Sequence, residues 1–309
     1  MARIVFMGTP DFAVPTLQRL IAAHEVIGVV TQPDRPAGRG GSIQISPIKQ
    51  VALDANIPVF QPEKLRRPDA IAELRQWTPE VYIVAAFGQI LPQAVLDIPT
   101  HGSINLHASL LPRWRGAAPI QAAIRTGDAE TGVTIMQMDA GLDTGAMLIW
   151  RALPIAADET GQSLHDKLSL LGGDLLIDAL PNILSGALLP TPQDNALATF
   201  APRIDKGEGR IDWMQTAAHI ERTMRAFTPW PGTFTTWDGQ LLKILTGGTE
   251  SGIIAPGLVA ERGGRIAIGT SGGVFAPTRV QLEGRKPVSI DDFVRGYPAF
   301  VGSQLSTTP

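Results

Sequence analysis

Short apolar runs rich in β-branched residues alternate with segments of helical spacing through the first half of the chain. Residues 3–7, 26–30, 81–86 and 103–106 read as strands, and residues 12–23, 47–56, 68–77 and 88–96 as helices. This alternation predicts an α/β domain with a Rossmann-like, mostly parallel sheet. Two further runs, 132–138 and 146–153, flank Asp139-Ala-Gly-Leu-Asp-Thr-Gly145, whose glycines suit a tight loop at the strand ends. Functional residues collect at such ends. Residues 163–184 give one or two amphipathic helices. The stretch 189–209, rich in Pro, Asp, Asn and Gly, reads as a linker. Beyond it one helix, 217–226, precedes short strands at 233–237, 241–245, 257–260, 265–269 and 278–282. A small OB-like β-barrel fits that pattern. The expected organisation is therefore a catalytic-type α/β domain over 1–188, a linker over 189–209 and a barrel domain over 210–309.

Composition agrees with two cores, since 309 residues at 44% hydrophobic content exceed what one small core needs. A formal charge of -3 gives no basic signature, so any nucleic-acid contact must come from local patches. From Ala201 onward 12 basic residues face 10 acidic ones, a slight positive asymmetry. The absence of cysteine removes disulfides, thiolate nucleophiles and Cys-ligated zinc. The opening MARIVFMGTP is too short for a signal-peptide core, and no stretch reaches the length of a membrane span. The expectation is a cytoplasmic protein that uses no membrane.

Asn105 and His107 stand two residues apart at the end of an expected strand, a spacing that puts both side chains on one face of a sheet. An amide donor beside an imidazole suits a developing oxyanion, the need of acyl or formyl transfer. The alternative is a strand end whose polar groups only cap backbone. Asp143, on the glycine-flanked loop expected at the same edge, is placed to orient the imidazole and favour its protonated form. After His107 comes Ala108-Ser-Leu-Leu-Pro-Arg-Trp-Arg-Gly-Ala-Ala-Pro-Ile120, in which Trp114 is expected to be exposed between two arginines. Such a loop is costly without a ligand or partner.

Other motifs carry less. Gly269-Thr-Ser-Gly-Gly273 has the spacing of a hydrolase elbow, but β-like sequence follows it, so it reads as a hairpin turn. Ser109 near His107 lacks such an elbow and reads as a ligand contact or a cap. His165 reads as a surface or packing residue. His24, His101 and His219 form no ligand cluster in the sequence, and no metal site is expected. Met7-Gly-Thr-Pro-Asp-Phe12 lacks the remaining glycines of a dinucleotide turn.

Taken in order, Met7-Gly-Thr-Pro-Asp-Phe12, Gln32-Pro-Asp-Arg-Pro-Ala-Gly-Arg39, Ala85-Ala-Phe-Gly-Gln-Ile-Leu-Pro92, Asn105-Leu-His107, residues 109–120, Asp139-Ala-Gly-Leu-Asp-Thr-Gly145 and Pro229-Trp-Pro-Gly232 resemble the methionyl-tRNA formyltransferases. These belong to the wider family of 10-formyltetrahydrofolate-dependent formyltransferases. Asn-x-His with the distant Asp is shared across that wider family. The resemblance implies a transferase of one-carbon metabolism that formylates initiator methionyl-tRNA for translation initiation, with no metal. It implies Asn105, His107 and Asp143 as catalytic residues. The methionyl amine would attack the formyl carbon directly, and Asn105 and His107 would stabilise the tetrahedral oxyanion while Asp143 assists proton movement. The folate co-substrate would bind near Phe87, Gly88, Gln89, Ile90 and Leu91 and near Ser109, Leu110, Leu111 and Pro112. The expected state is a monomer.

For tRNA, Arg35 and Arg39 lie on a glycine-rich segment suited to phosphate contact, or simply to solvation. The family commonly has lysines after its Gly-Arg-Gly, whereas Gly41 and Ser42 stand here. Arg203, Lys206 and Arg210 are further tRNA candidates, joined by Arg222 and Arg225. The rivals are an amino-sugar or purine formyltransferase, a formyltetrahydrofolate hydrolase and a silent RNA-binding module.

Overall fold

The computed structural model describes residues 2–37 and 42–306. The chain forms two compact units: Met1–Pro119, Glu130–Pro154 and His165–Ala201 make the first, and Ile120–Ala129, Ile155–Leu164 and Pro202–Pro309 the second.

The first unit is built on seven strands, β1 (Arg3–Gly8), β2 (Glu25–Val30), β3 (Val59–Phe60), β4 (Val81–Ala85), β5 (Ser103–His107), β6 (Glu130–Gln137) and β7 (Met147–Pro154). Their order across the sheet is β7-β6-β5-β4-β1-β2-β3. The run from β5 to β3 is parallel, and β6 and β7 are antiparallel at one edge. Every residue of β4 and β5 is buried, and all of β1 except Arg3. That burial is why these runs read as continuous apolar segments. The helices α1 (Val14–Ala23), α2 (Pro47–Asp54), α3 (Pro68–Gln76) and α4 (Gln93–Leu96) lie between strands in the chain. α2 starts where expected because Ser46 accepts a hydrogen bond from the Lys49 amide and proline occupies the first turn.

Residues 88–96 do not form the full helix expected of them; only Gln93–Leu96 is helical. Pro92 biases Leu91 away from helical backbone, and Ala86 already sits at a left-handed φ of 46°. The result is a loop at the end of β4. Two strands, Arg35–Ala37 and Ser42–Gln44, pair with each other, and these and the strand β3 are additional to the expected elements. After α5 (Pro119–Thr126) comes α6 (Gly161–Leu184), a single 24-residue helix. Ser169 on α6 donates to the Phe12 carbonyl at 2.6 Å, fixing the helix to the segment after β1. Chain order reverses where β1 meets β4, which makes the C-terminal ends of these two strands the topological switch point of the sheet.

The second unit holds α7 (Ala217–Ala226) and an antiparallel sheet of β8 (Thr233–Trp237), β9 (Gln240–Glu250), β10 (Val259–Arg262), β11 (Arg265–Gly269), β12 (Val274–Leu282) and β13 (Val288–Ser289), followed by α8 (Ile290–Gly296). The sheet order is β8-β9-β12-β11-β10, with β13 on β12. Trp213, Ile268 and Phe275 lie in its core, where the Trp213 indole N–H is satisfied by Thr235 Oγ1 at 3.2 Å. The rings of Phe293, Tyr297 and Phe300 surround Trp237 edge-on at 5.4 to 5.6 Å. The Gly269–Gly273 motif is the turn between β11 and β12, as the β-like flanks indicated. The Thr270 hydroxyl lies 3.0 and 2.8 Å from the Gly272 and Gly273 carbonyls across it.

Candidate active site

β5 places Asn105 and His107 on one face of the sheet at its C-terminal end, 8% and 6% exposed. His107 Nε2 donates to the Trp114 carbonyl at 2.9 Å. Its Nδ1 lies 3.7 Å from Asp143 Oδ1. Both neighbours are acceptors, so the ring can donate to both only when it carries two protons.

Asp143 reaches this position because its loop is wound tightly. It has a left-handed φ of 52°, which aspartate tolerates better than most side chains. At Gly145 a Cβ would stand 1.7 Å from the Gln137 carbonyl, so only glycine lets the two chains pass. The Gly116 amide donates to Asp143 Oδ2 at 2.8 Å, leaving Oδ1 turned to the imidazole.

A residue from the presumed linker completes the support. Gln193 Nε2 donates to the carbonyls of Asp143 and Gly145 at 2.8 and 2.7 Å. Its Oε1 accepts from Arg115 Nε and Nη2 at 3.0 and 2.8 Å, and Arg115 Nη2 also reaches Asn195 Oδ1 at 2.9 Å. A guanidinium only donates, so Arg115 fixes which end of the Gln193 amide is oxygen. The stretch is anchored further by Phe200–Ala201, which pairs in parallel with Arg115–Gly116. Gln193 carries no signal in the sequence, because its partners lie 48 to 78 residues away and its own segment has no periodicity.

The loop after His107 differs from its expected form. Trp114 is half-buried rather than exposed, and Arg115 is buried at 3% exposure. Arg115 therefore faces the interior network, while exposed Arg113 covers the Trp114 ring at 4.4 Å. Ser109 is fully buried and its hydroxyl donates to the Arg113 carbonyl at 2.5 Å, closing the turn. Thr134 clamps the same loop, donating to the Ser109 carbonyl and accepting from the Leu111 amide. Leu110 and Pro112 are half-buried beside buried Leu111.

On the neighbouring strand end, Phe87 and Leu91 are buried, Gln89 is half-buried, Gly88 is exposed and Ile90 is 85% exposed. Thr9 Oγ1 and Gln32 Nε2 donate to the Phe87 carbonyl at 3.1 and 3.2 Å. Gln89 ties the loop to Leu65 and Pro62. With Phe87 and Leu91 packed inward, this loop presents main chain and Ile90 outward. Close by in the chain, Asp34 is held below the usual carboxylate range by hydrogen bonds from Lys49 and then Gln61.

Of the expected tRNA contacts, Arg35 is exposed with Glu63 at 3.8 Å, and Arg203 and Lys206 are exposed. Arg210 is half-buried, donates to Thr236 Oγ1 and covers the Phe234 ring. Arg39 lies outside the described residues. His165 packs edge-on against Phe12 at 5.4 Å, a packing residue as expected.

Residues 2–180 match the formyl transferase family, and residues 203–298 match the formyl transferase C-terminal domain. The methionyl-tRNA formyltransferase of Marinobacter nauticus is 53% identical over 303 residues, which cover 95% of this chain and 96% of that protein. Its counterpart from Geobacter metallireducens is 51% identical over 306 residues, covering 98% of each. Among solved structures, WlaRD, a sugar 3N-formyl transferase in the presence of dTDP and 5-N-formyl-THF, is similar with a TM-score of 0.67 at 20% identity, covering 93% of this chain and 99% of that one. HypX from Aquifex aeolicus in complex with tetrahydrofolic acid is similar with a TM-score of 0.62 at 20% identity, covering 97% of this chain and 48% of that one. At 20% identity these two likenesses concern the fold.

Proposed function

Because the chain belongs to the formyl transferase family, and over nearly its full length to the methionyl-tRNA formyltransferases, we propose that it transfers the formyl group of 10-formyltetrahydrofolate to the α-amino group of initiator methionyl-tRNA. The observation that carries the chemistry is the meeting of His107 and Asp143 at 3.7 Å, with Asn105 on the same face of the strand that carries His107.

In this reading the methionyl amine attacks the formyl carbon, and negative charge grows on the formyl oxygen. Asn105 donates to that oxygen through its side-chain amide. His107 reaches it with Nε2, exchanging the Trp114 carbonyl for the stronger acceptor. Each such donor contributes about 3 kcal/mol to the transition state. Asp143 keeps its carboxylate facing Nδ1, orienting the imidazole, and assists the passage of the proton from the amine to the departing nitrogen. No nucleophilic side chain is needed.

10-Formyltetrahydrofolate supplies the formyl group as co-substrate. The two loops, which leave the paired strands β4 and β5, suit it, because the Phe87–Leu91 segment turns backbone and an apolar Ile90 outward and the Leu110–Pro112 turn adds half-buried apolar surface. A pterin needs that pairing of main-chain hydrogen bonds with flat apolar contact. Methionyl-tRNA would use the catalytic domain, 1–188, for its acceptor end, with Arg35 and Arg39 on phosphates. The C-terminal domain, 210–309, with Arg203 and Lys206 just ahead of it, would hold the body of the RNA. The protein acts as a monomer in the cytoplasm.

Incubation with 10-formyltetrahydrofolate and either methionyl-tRNA or uncharged tRNA tests the proposal. Formyl incorporation into methionyl-tRNA alone is the expected result. Folate turnover that is indifferent to charged tRNA would make the chain a hydrolase instead.

A further inference from the structure

The second unit contains a cavity of about 440 Å³, within the range of small-ligand sites. Its wall bears two arginines, Arg125 and Arg210, and two carboxylates, Glu208 and Asp212. His219, which also lines it, is held below its ordinary pKa by burial first and then by Arg125 and Arg222, against the opposite pull of Asp212. Near pH 7 the wall therefore carries no net charge, and a bare phosphate finds little preference there.

Both guanidiniums are braced. Arg125 lies 5.4 Å from the Phe227 ring and pairs with Glu208 at 3.2 Å; Arg210 lies 5.4 Å from the Phe234 ring and donates to Thr236 Oγ1 at 3.1 Å. A planar cation fixed on a ring is a preformed stacking surface for a flat, polar ligand. Ile211 and Ile220 supply apolar wall. Thr223, another lining residue, has a buried hydroxyl with no hydrogen-bond partner among the described residues. Leaving such a group unpaired is costly, and a turn of the side chain toward the cavity would let a ligand edge satisfy it.

We propose that this cavity receives one unpaired nucleobase of the RNA substrate, stacked on a braced guanidinium and read at its edge by Asp212, Gln215 and Thr223. The RNA part of the proposal rests on the methionyl-tRNA reading above. A sugar lacks the flat faces that the guanidiniums suit, and a free phosphate lacks the edge groups.

Calorimetric titration of the full chain with AMP, GMP, CMP and UMP, and with ribose 5-phosphate, tests it, together with formylation kinetics. Thr223→Val and Gln215→Ala are suitable variants, because the first removes only an unpartnered hydroxyl and the second is at an exposed position. The expected result is binding of at least one nucleotide but not ribose 5-phosphate. Each variant should weaken that binding by roughly three- to tenfold. The KM for methionyl-tRNA should rise in parallel, the loss falling on KM rather than kcat. Equal binding of ribose 5-phosphate, or a KM that stays put in both variants, would overturn the proposal. Formylation without nucleotide binding sinks this proposal alone; nucleotide binding without formylation sinks the functional reading and leaves the base pocket.

Discussion

At the scale of single residues, the catalytic set makes the sharpest predictions. Asn105→Ala should lower kcat by about 10²- to 10³-fold, as loss of one oxyanion donor does. Asp143→Asn keeps an oxygen for the Gly116 amide but removes the charge facing His107, and should lower kcat by about 10²-fold or more. Both variants should retain wild-type circular dichroism; turnover near normal in either would remove that residue from the mechanism. Tyr82 makes an opposite case. Its ring is fully buried in β4, burial raises its pKa, and its hydroxyl makes no hydrogen bond among the described residues. Tyr82→Phe should therefore leave stability unchanged or raise it by about 1 kcal/mol, measured by thermal denaturation.

At the scale of elements, the segment between the two sheets is more than a tether. Gln193 holds two carbonyls of the Asp143 loop, and Thr199 Oγ1 accepts from the Trp114 amide at 2.9 Å on the other side of His107. Both acceptors around the imidazole are thus positioned by residues outside the sheet. Gln193→Ala should reduce kcat by up to about 10²-fold through misplacement of Asp143, with little change in folate KM. Gln193→Asn, with a shorter reach, should recover less than wild-type activity. A Gln193→Ala enzyme with normal kcat would show that the Asp143 loop holds its shape unaided.

At the scale of the whole molecule, the response to pH follows from groups that titrate lower in the folded chain. His24 and His219 are both depressed, chiefly by burial. Below their ordinary value of about 6.5 the unfolded chain binds protons that the folded one refuses, so stability falls as pH drops from 7 through that value. Asp34, Asp69 and Asp292 are depressed by hydrogen bonds from neighbouring side chains. Their stabilisation is complete above about pH 4 and disappears only in stronger acid. Denaturant midpoints measured from pH 8 to 3 should show the first decline near 6.5, diminished in His219→Gln. A single transition below pH 4 would contradict the histidine contribution. The tRNA affinity should also fall with salt, with a log–log slope of about -0.7 to -0.9 for each phosphate contacted. A slope near zero would remove Arg35, Arg203 and Lys206 as phosphate contacts.

What was legible in the sequence was local. The apolar runs of β1, β2, β4 and β5, the Ser46-Pro47 start of α2 and the β11–β12 turn all follow from the periodicity, caps and turn residues of a few neighbouring positions. The Asn-x-His spacing and the glycine-flanked Asp143 were visible for the same reason. The helix is confined to Gln93–Leu96, short of the expected 88–96, because Pro92 and the bent backbone at Ala86 outweigh the helix-forming composition around them. The inward turn of Arg115, the half-burial of Trp114 and the grip of Gln193 had no local signal. Each depends on a partner brought close by the folded chain, and a hydrogen bond across 50 or more residues leaves no period to read. The sequence by itself determined the elements and the reactive residues. Only the tertiary structure decided which nitrogen of His107 faces which acceptor, because that depends on how separate loops pack around one strand end.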